Sequence, residues 1–238
     1  MKPMKYVAVL IAALISADLY ARDSYTPLTD KAFAAHIADN GVVLVHVNWG
    51  RHWNCHGYEN VQLQRLVFQS MPTDGASPER IELDIPSRLL AKNTFIRYAL
   101  LVSPGQYALS GFRFKLAASV SDLRIYEPDA KTLLEENNAK AGSFRVAAGE
   151  IIYIGHFGVD CNGDPSPWRF YIEDAEDFRQ YSDEFYREYP STKSVPVTYR
   201  LFETKTLGAP YALPDAERNN GAAQQSVQPD RREDAAPG

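Results

Sequence analysis

Short runs in which apolar and polar residues alternate are the feature of this sequence that most restricts its fold. The run "VVLVHVNW" (42–49) divides its side chains between two faces, and Val43, Val45, Val47 and Trp49 share one of them. Successive side chains of a β-strand point to opposite faces, so a period of two predicts strands. Further runs of this kind, rich in β-branched and aromatic residues, span 61–64, 81–85, 95–102, 106–117, 121–126, 143–146, 150–157 and 197–204.

Two connections contain residues that favour tight turns, Ser103-Pro104-Gly105 and Ala148-Gly149. Proline followed by glycine is typical of a type II turn, because glycine accepts the positive φ that this turn requires. We therefore expect the flanking runs to pair as two β-hairpins, 95–102 with 106–117 and 143–146 with 150–157.

Two other segments repeat their apolar residues at helical spacing. Over 29–40, Thr29 can cap a short helix, and Phe33 and Ile37 share a face. Over 175–189 an aromatic residue recurs every three or four positions, and Pro190 ends the pattern. Because these helices are not interleaved with strands as crossovers, the sequence predicts an antiparallel β-sandwich with two short peripheral helices. An open α+β roll is the competing architecture.

The two ends of the chain differ in composition from the part between them. Residues 1–21 combine a positive start with a short apolar run and end at Ala21, which predicts a secretory signal peptide. An uncleaved membrane anchor is the alternative, although the apolar run 6–15 is shorter than a bilayer span. Residues 214–238 are polar without apolar periodicity, which predicts a disordered tail. Residues 22–213 remain as a single domain of a periplasmic or secreted bacterial protein.

Charge and hydropathy argue against two classes of partner. The formal net charge is -5 and no basic stripe is present, which argues against nucleic acid. Beyond the first residues, no apolar stretch approaches the roughly 20 residues of a transmembrane helix. We therefore expect no transmembrane anchor.

The chain has only two cysteines, Cys55 and Cys161. A pair of cysteines in an exported protein most often forms a disulfide. This bridge would close a loop of about 100 residues and, in the chain-entropy model, stabilise the fold by roughly 4–5 kcal/mol. Free thiols and thiolates on a metal ion are the alternatives.

The segments "LVSPGQYALSGF" and "FRVAAGEIIYIGHF" carry a resemblance. They are similar to segments of uncharacterised exported bacterial proteins with a prealbumin-like (transthyretin-like) β-sandwich module. In these, a Pro-Gly turn leads into "YxL" and a later strand has the pattern "AGExxYIG". The resemblance covers about 95–157. It implies a sandwich fold and carries no catalytic residues to this chain.

Three of the five histidines lie near a cysteine. His52 and His56 flank Cys55, and His156 precedes Cys161, so a disulfide would draw the three imidazoles to one end of the sandwich. Three imidazoles suit zinc or copper and leave a coordination position open. In the competing interpretation, His52 and His56 are exposed loop residues and His156 belongs to a hydrogen-bond network.

Aromatic residues gather in the same two regions, 50–60 and 158–170, which we expect to be loops. Exposed aromatic side chains at one end of a sandwich can stack on a sugar or contact a partner protein. Alternatively, they pack over the disulfide as a secondary core. The candidate binding residues are Trp49, Trp53, Tyr58, Trp168 and Tyr171.

The sequence contains no Gly-x-Ser-x-Gly elbow that would indicate a serine nucleophile. The predicted function is therefore an exported binding or accessory module of the cell envelope, without catalytic activity and with an unidentified protein or small-molecule partner. A transition-metal binding protein that uses His52, His56 and His156 is one alternative. A hydrolase with an unrecognised site is the other.

Overall fold

The computed structural model describes residues 25–71, 77–87, 95–128, 130–134, 139–161, 164–170 and 175–204, and it leaves the side chains of 168–170 undescribed. In this part of the chain, two six-stranded sheets and a set of helices form three layers. The predicted mostly β architecture of two packed sheets with short helices is confirmed. The predicted signal peptide 1–21 and tail 214–238 lie outside the described residues.

The first sheet contains the strand of the opening alternating run. Its strands are β1 (Thr26–Pro27), β2 (Gly41–Asn48), β6 (Phe95–Val102), β10 (Ile151–Asp160), β11 (Ser166–Phe170) and β12 (Val197–Tyr199). They lie in the order β1-β6-β2-β10-β11, and β12 also pairs with β10. The pairings of β10 with β2 and with β12 are parallel, and the others are antiparallel. The sheet is therefore mixed, whereas the alternation alone predicts an antiparallel one.

The second sheet is antiparallel throughout the described strands. It contains β3 (Arg51–Cys55), β4 (Tyr58–Ser70), β5 (Arg80–Asp84), β7 (Gly105–Ala117), β8 (Leu123–Tyr126) and β9 (Ser143–Val146). The order is β3-β4-β7-β8, with β5 beside β4 and β9 beside β7.

The main hydrophobic core lies between the two sheets. As the alternation of 42–49 predicts, Val43, Val45, Val47 and Trp49 all belong to it. Phe68, Phe157 and Phe202 meet edge to face at its centre, with ring centroids 5.4 to 5.9 Å apart. Rings in this arrangement add to the stabilisation from apolar burial.

A second core lies on the outer face of the first sheet, covered by α1 (Asp30–His36) and α3 (Ala175–Glu188), and a 3-10 helix (Pro190–Ser194) follows α3. The short α2 (Ala130–Leu133) lies elsewhere, because its Leu133 belongs to the main core. The hydroxyl of Thr29 accepts a hydrogen bond from the Ala32 amide and caps α1, as predicted. Phe33 of α1 and Phe185 of α3 pack with Leu44 in this outer core. α2 and the 3-10 helix were not predicted, because each is only a turn or so long.

The two predicted hairpins are wrong. β6 lies in the first sheet and β7 in the second, and the same separation holds for β9 and β10. Both connections cross from one sheet to the other. Gly105 lacks the positive φ of a type II turn, whereas Gly149 has φ +76°. A tight turn fixes how the chain reverses, but the packing of the sheets decides whether the reversed strand pairs with its predecessor or lies above it.

No helix in the described ranges has the length and apolar character needed to cross a membrane.

Candidate functional site

The segment expected to be a loop at 50–60 is a β-hairpin. β3 pairs with β4 through Trp53 opposite Asn60 and Cys55 opposite Tyr58. The turn between them uses positive φ values at His56 (43°) and Gly57 (87°). Positive φ is uncommon outside glycine, and it lets the chain reverse within two residues. The predicted loop is therefore wrong, because strand pairing continues to the tip of the segment.

The predicted disulfide between Cys55 and Cys161 is confirmed, with 5.1 Å between the Cα atoms. Cys55 ends β3 of the second sheet, and Cys161 directly follows β10 of the first. The bridge therefore fastens the hairpin to the opposite sheet.

The predicted aromatic residues have different environments. Trp53 is 54% exposed, and Tyr58 is half-buried. Trp49 is fully buried in the main core, and its indole Nε1 donates a 2.8 Å hydrogen bond to the Tyr98 hydroxyl. Trp49 is therefore wrong as a surface binding residue, because the period of two directs its side chain inward. The side chain of Trp168 and the whole of Tyr171 lie outside the described part of the chain.

The three histidines predicted to hold a metal ion are not gathered into one site. His52 and His56 are exposed on the hairpin, whereas His156 is buried on β10. Within the described ranges, no group of three or more histidines, cysteines and carboxylates is placed to hold a metal ion. These positions agree with the competing interpretation, in which His156 belongs to a hydrogen-bond network.

That network lies between α3 and the first sheet. His46 Nδ1 and His156 Nε2 are 2.7 Å apart, which is hydrogen-bond distance. The guanidinium Nε of Arg97 donates to His46 Nε2 over 3.0 Å. On the other side, the Tyr153 hydroxyl is hydrogen-bonded to His156 Nδ1. We call these four residues, together with Glu184 and Glu188 of α3, the histidine network.

A β-bulge in β10 brings the two histidines together. Tyr153 lies opposite Leu44 and His156 opposite His46, so β10 has three residue steps where β2 has two. Gly155 lies within the bulge with φ +112°, a conformation that glycine adopts readily. If the same sequence formed a regular strand with no bulge, His156 would point into the main core instead of toward α3, because successive strand residues face opposite sides.

Burial makes both imidazoles difficult to protonate. Loss of solvation is the largest of three effects that lower the pKa of His46 to about 3, and the neighbouring His156 and Arg97 supply the other two. Loss of solvation and the charge of Arg97 together lower the pKa of His156 to about 4. Both rings are therefore neutral at pH 7.

The same arginine connects the network to α3. Its two terminal nitrogens donate to Glu184 over 2.8 Å and to Glu188 over 3.2 Å. Its guanidinium carbon also lies 5.2 Å from the ring centre of Tyr181, within cation–π range. The Tyr181 hydroxyl is buried without a hydrogen-bond partner among the described residues. One side chain of the first sheet therefore contacts α3 at three points.

Comparisons with family models, with curated proteins and with solved structures found no match to this chain.

Five residues of the network were missed by sequence reasoning, namely His46, Arg97, Tyr153, Glu184 and Glu188. The usable signal was the glycine of "YIGHF", because an isolated glycine inside a strand pattern indicates a bulge. Nothing in the local sequence indicates that the residues of the network lie close together. His46 and His156 are 110 positions apart, and only the parallel pairing of β2 with β10 joins them.

Proposed function

We propose that this protein is an exported binding module of the bacterial cell envelope and that the β3–β4 hairpin is its contact surface. The observation that carries the proposal is the exposure of Trp53, which is 54% accessible two positions from a cysteine that is bonded to the other sheet. A large aromatic side chain that is both exposed and held in place is a typical contact residue.

The geometry of the hairpin supports binding with little loss of conformational entropy. β3 is fixed along one side by its pairing with β4 and at its end by the disulfide. Because the backbone beneath Trp53 is already ordered, less freedom is lost when a ligand binds. The neighbouring His52 and His56 are exposed on the same hairpin.

Two strands of the second sheet, β3 and β8, carry exposed apolar side chains on the same face, and the residues between them, Asn60 and Ala117, are buried. Trp53 lies opposite Asn60, Asn60 opposite Ala117, and Ala117 opposite Leu123, so these four side chains share one face. Leu123 is 53% exposed. Ile125, two positions further along the same face, is 58% exposed. A flat surface with an indole at one edge suits the apolar face of a sugar ring, and we propose envelope glycans as the ligand class.

Replacement of Trp53 by alanine tests the proposal. Titration of the protein with soluble peptidoglycan fragments, followed by intrinsic fluorescence, should show binding that weakens about 30-fold or more in the variant, since a binding hot spot contributes 2 kcal/mol or more. Val120→Ala is the matched control, because Val120 is 91% exposed and lies outside the paired strands. Equal affinity of the Trp53 variant and the wild type, or no binding of glycan by either, would contradict the proposal.

The proposed compartment is tested separately. An exported protein that has lost a signal peptide should begin near Arg22 when it is isolated from the periplasm or the medium. An intact Met1 in the membrane fraction would contradict the proposed export. The disulfide supports an oxidising compartment, where such bonds persist.

A further inference from the structure

The hydrogen bonds of the histidine network allow only one arrangement of protons for neutral rings. The Arg97 guanidinium can only donate, so His46 Nε2 must accept and the His46 proton resides on Nδ1. That proton points at His156 Nε2, which must accept in turn. The His156 proton therefore resides on Nδ1 and faces the Tyr153 oxygen. The order of donation is Arg97, His46, His156, Tyr153.

An added proton has no compatible place in this arrangement. On His46 Nε2 it would face the N–H of Arg97, and on His156 Nε2 it would face the N–H of His46. In both cases two N–H donors would face each other where a donor now faces an acceptor. A hydrogen bond inside a buried contact is therefore lost. Protonation of His46 also places a second positive charge beside the Arg97 guanidinium. Either ring must separate from its neighbour to accept the proton.

The charged and titratable groups around the pair come from every element packed against it. The first sheet contributes Arg97 from β6 and Tyr153 from β10, and α3 contributes Tyr181, Glu184 and Glu188. Arg97 is the charged group that touches both the His46 imidazole and the helix. When His46 displaces Arg97, the guanidinium therefore moves relative to two carboxylates of α3 and the Tyr181 ring.

We propose that the His46–His156 pair is an acid-sensitive latch that holds α3 against the first sheet when both rings are neutral and releases the helix when they are protonated. Release would uncover the outer core, where Tyr153, Tyr181, Phe185 and Tyr199 are buried. The latch stands on the network alone and does not depend on the proposed glycan binding.

The direction of the pH dependence follows from the two states. The pKa of each ring in the closed state is low, about 3 for His46 and about 4 for His156, against the ordinary 6.5 of an exposed ring. The open state therefore binds more protons, and acid favours it. Below pH 6.5 and down to about pH 4, the ratio of open to closed protein rises by up to about 100-fold per pH unit, because two protons are taken up and each contributes a factor of ten.

Amide hydrogen exchange of the oxidised full-length protein measures this ratio. Protection of α3, corrected for the intrinsic exchange rate and compared with that of the buried residues Ile151–Ile154 of β10, should fall selectively between pH 7 and pH 4. The His46→Asn and His156→Asn single variants each remove one titrating ring and should reduce the slope to about tenfold per pH unit. The double variant should show no slope over pH 6.5 to 5.

Two control variants separate the latch from other effects of acid. His52→Asn removes an exposed histidine of the hairpin and should leave the slope unchanged. Glu184→Gln weakens the contact of Arg97 with α3 and should lower protection at every pH without changing the slope between pH 6.5 and 5, because the two histidines are intact.

The deciding measurement is the change in α3 protection per pH unit. A variant whose helix is already partly open at neutral pH therefore remains informative. Constant α3 protection from pH 7 to pH 4 in the wild type, or a full slope in the double variant, would overturn the latch. If the double variant does not fold, ring-nitrogen NMR of the wild type decides the matter. The latch is supported if both rings are neutral Nδ1–H tautomers at pH 7 and titrate only as α3 opens. It is overturned if the rings titrate near pH 6.5 while α3 is still protected.

Discussion

Two tryptophans four positions apart illustrate how strand geometry assigns different roles to one residue type. Trp49 follows β2 and is fully buried, with its indole N–H bonded to the Tyr98 hydroxyl. Trp53 lies in the middle of β3, and more than half of its surface is exposed. The first belongs to the core between the sheets, and the second to the surface that we propose for binding.

This difference predicts unequal costs of the same substitution. Trp49→Phe removes buried volume and leaves the Tyr98 hydroxyl without its donor, so we expect a loss of about 2–4 kcal/mol in the free energy of unfolding. Trp53→Phe should change it by no more than about 0.5 kcal/mol, because the side chain is exposed. Urea denaturation of both oxidised variants measures the two values. Equal costs would show that Trp53 also contributes to a core.

At the residue scale, the sequence predicted the disulfide partners and the inward face of 42–49. These depend on pairing of the only two cysteines and on a strict period of two. It did not predict the contact between His46 and His156. The alternation places His46 on the second face of its strand, but which residue covers that face depends on the strand order. The metal hypothesis assumed that His156 lies at the same end of the sandwich as Cys161. Instead, the side chain of His156 points to the outer face of the first sheet, away from the disulfide.

At the scale of single elements, the bulge in β10 determines which face His156 occupies. One extra residue at Gly155 changes the phase of the strand, and the positive φ of 112° is where the backbone absorbs it. The main core and the histidine network therefore share one strand, on which the alternation changes phase partway along.

Gly155→Ala should destabilise the protein by about 1–3 kcal/mol, because an alanine at this φ is strained. It should also shift the ring resonances of His156, since relief of the strain alters the bulge. Calorimetry and NMR measure the two effects. Gly105→Ala is the matched control in a strand, with an ordinary φ and the nearest heavy atom 4.0 Å from the new Cβ. Its effect should stay within about 1 kcal/mol, and a similar cost at both glycines would contradict the role of φ.

Most strand positions were predicted, apart from β3 and β11 in the segments expected to be loops, and the sheet to which each strand belongs was not. β6, β7 and β10 lie where the alternating runs place them, because period and composition are local properties. Membership of a sheet depends on long-range packing. The connections at 103–104 and 147–150 are as short as those of hairpins, but each carries the chain across the core. Turn residues alone do not distinguish these two paths.

At the scale of the whole molecule, the disulfide is a covalent link between the two sheets. Cys55 and Cys161 are separated by 106 positions, so the loop that the bridge closes contains β6 and β10 of the first sheet and all of the described second sheet except β3. A constraint on so long a loop restricts the unfolded chain more than the folded one.

Replacement of both cysteines by alanine should therefore lower the free energy of unfolding by about 4–5 kcal/mol, according to the chain-entropy model. Guanidinium denaturation at neutral pH measures the change, and the reduced wild type should show a similar loss. Peptide mapping without reductant should recover Cys55 linked to Cys161. A loss below about 1 kcal/mol would indicate that the unfolded chain is already compact around these positions.

The same bridge also sets how the protein responds to mechanical tension. If its ends are pulled apart in an optical trap, force passes from Cys55 to Cys161 through the sulfur atoms, and the 106-position loop between them bears no load. About 370 Å of contour length, at roughly 3.5 Å per residue, therefore stays hidden until a reductant is added. Tethered in a stretched cell wall, the hairpin that carries Trp53 would lie at the boundary between the extensible and the shielded chain.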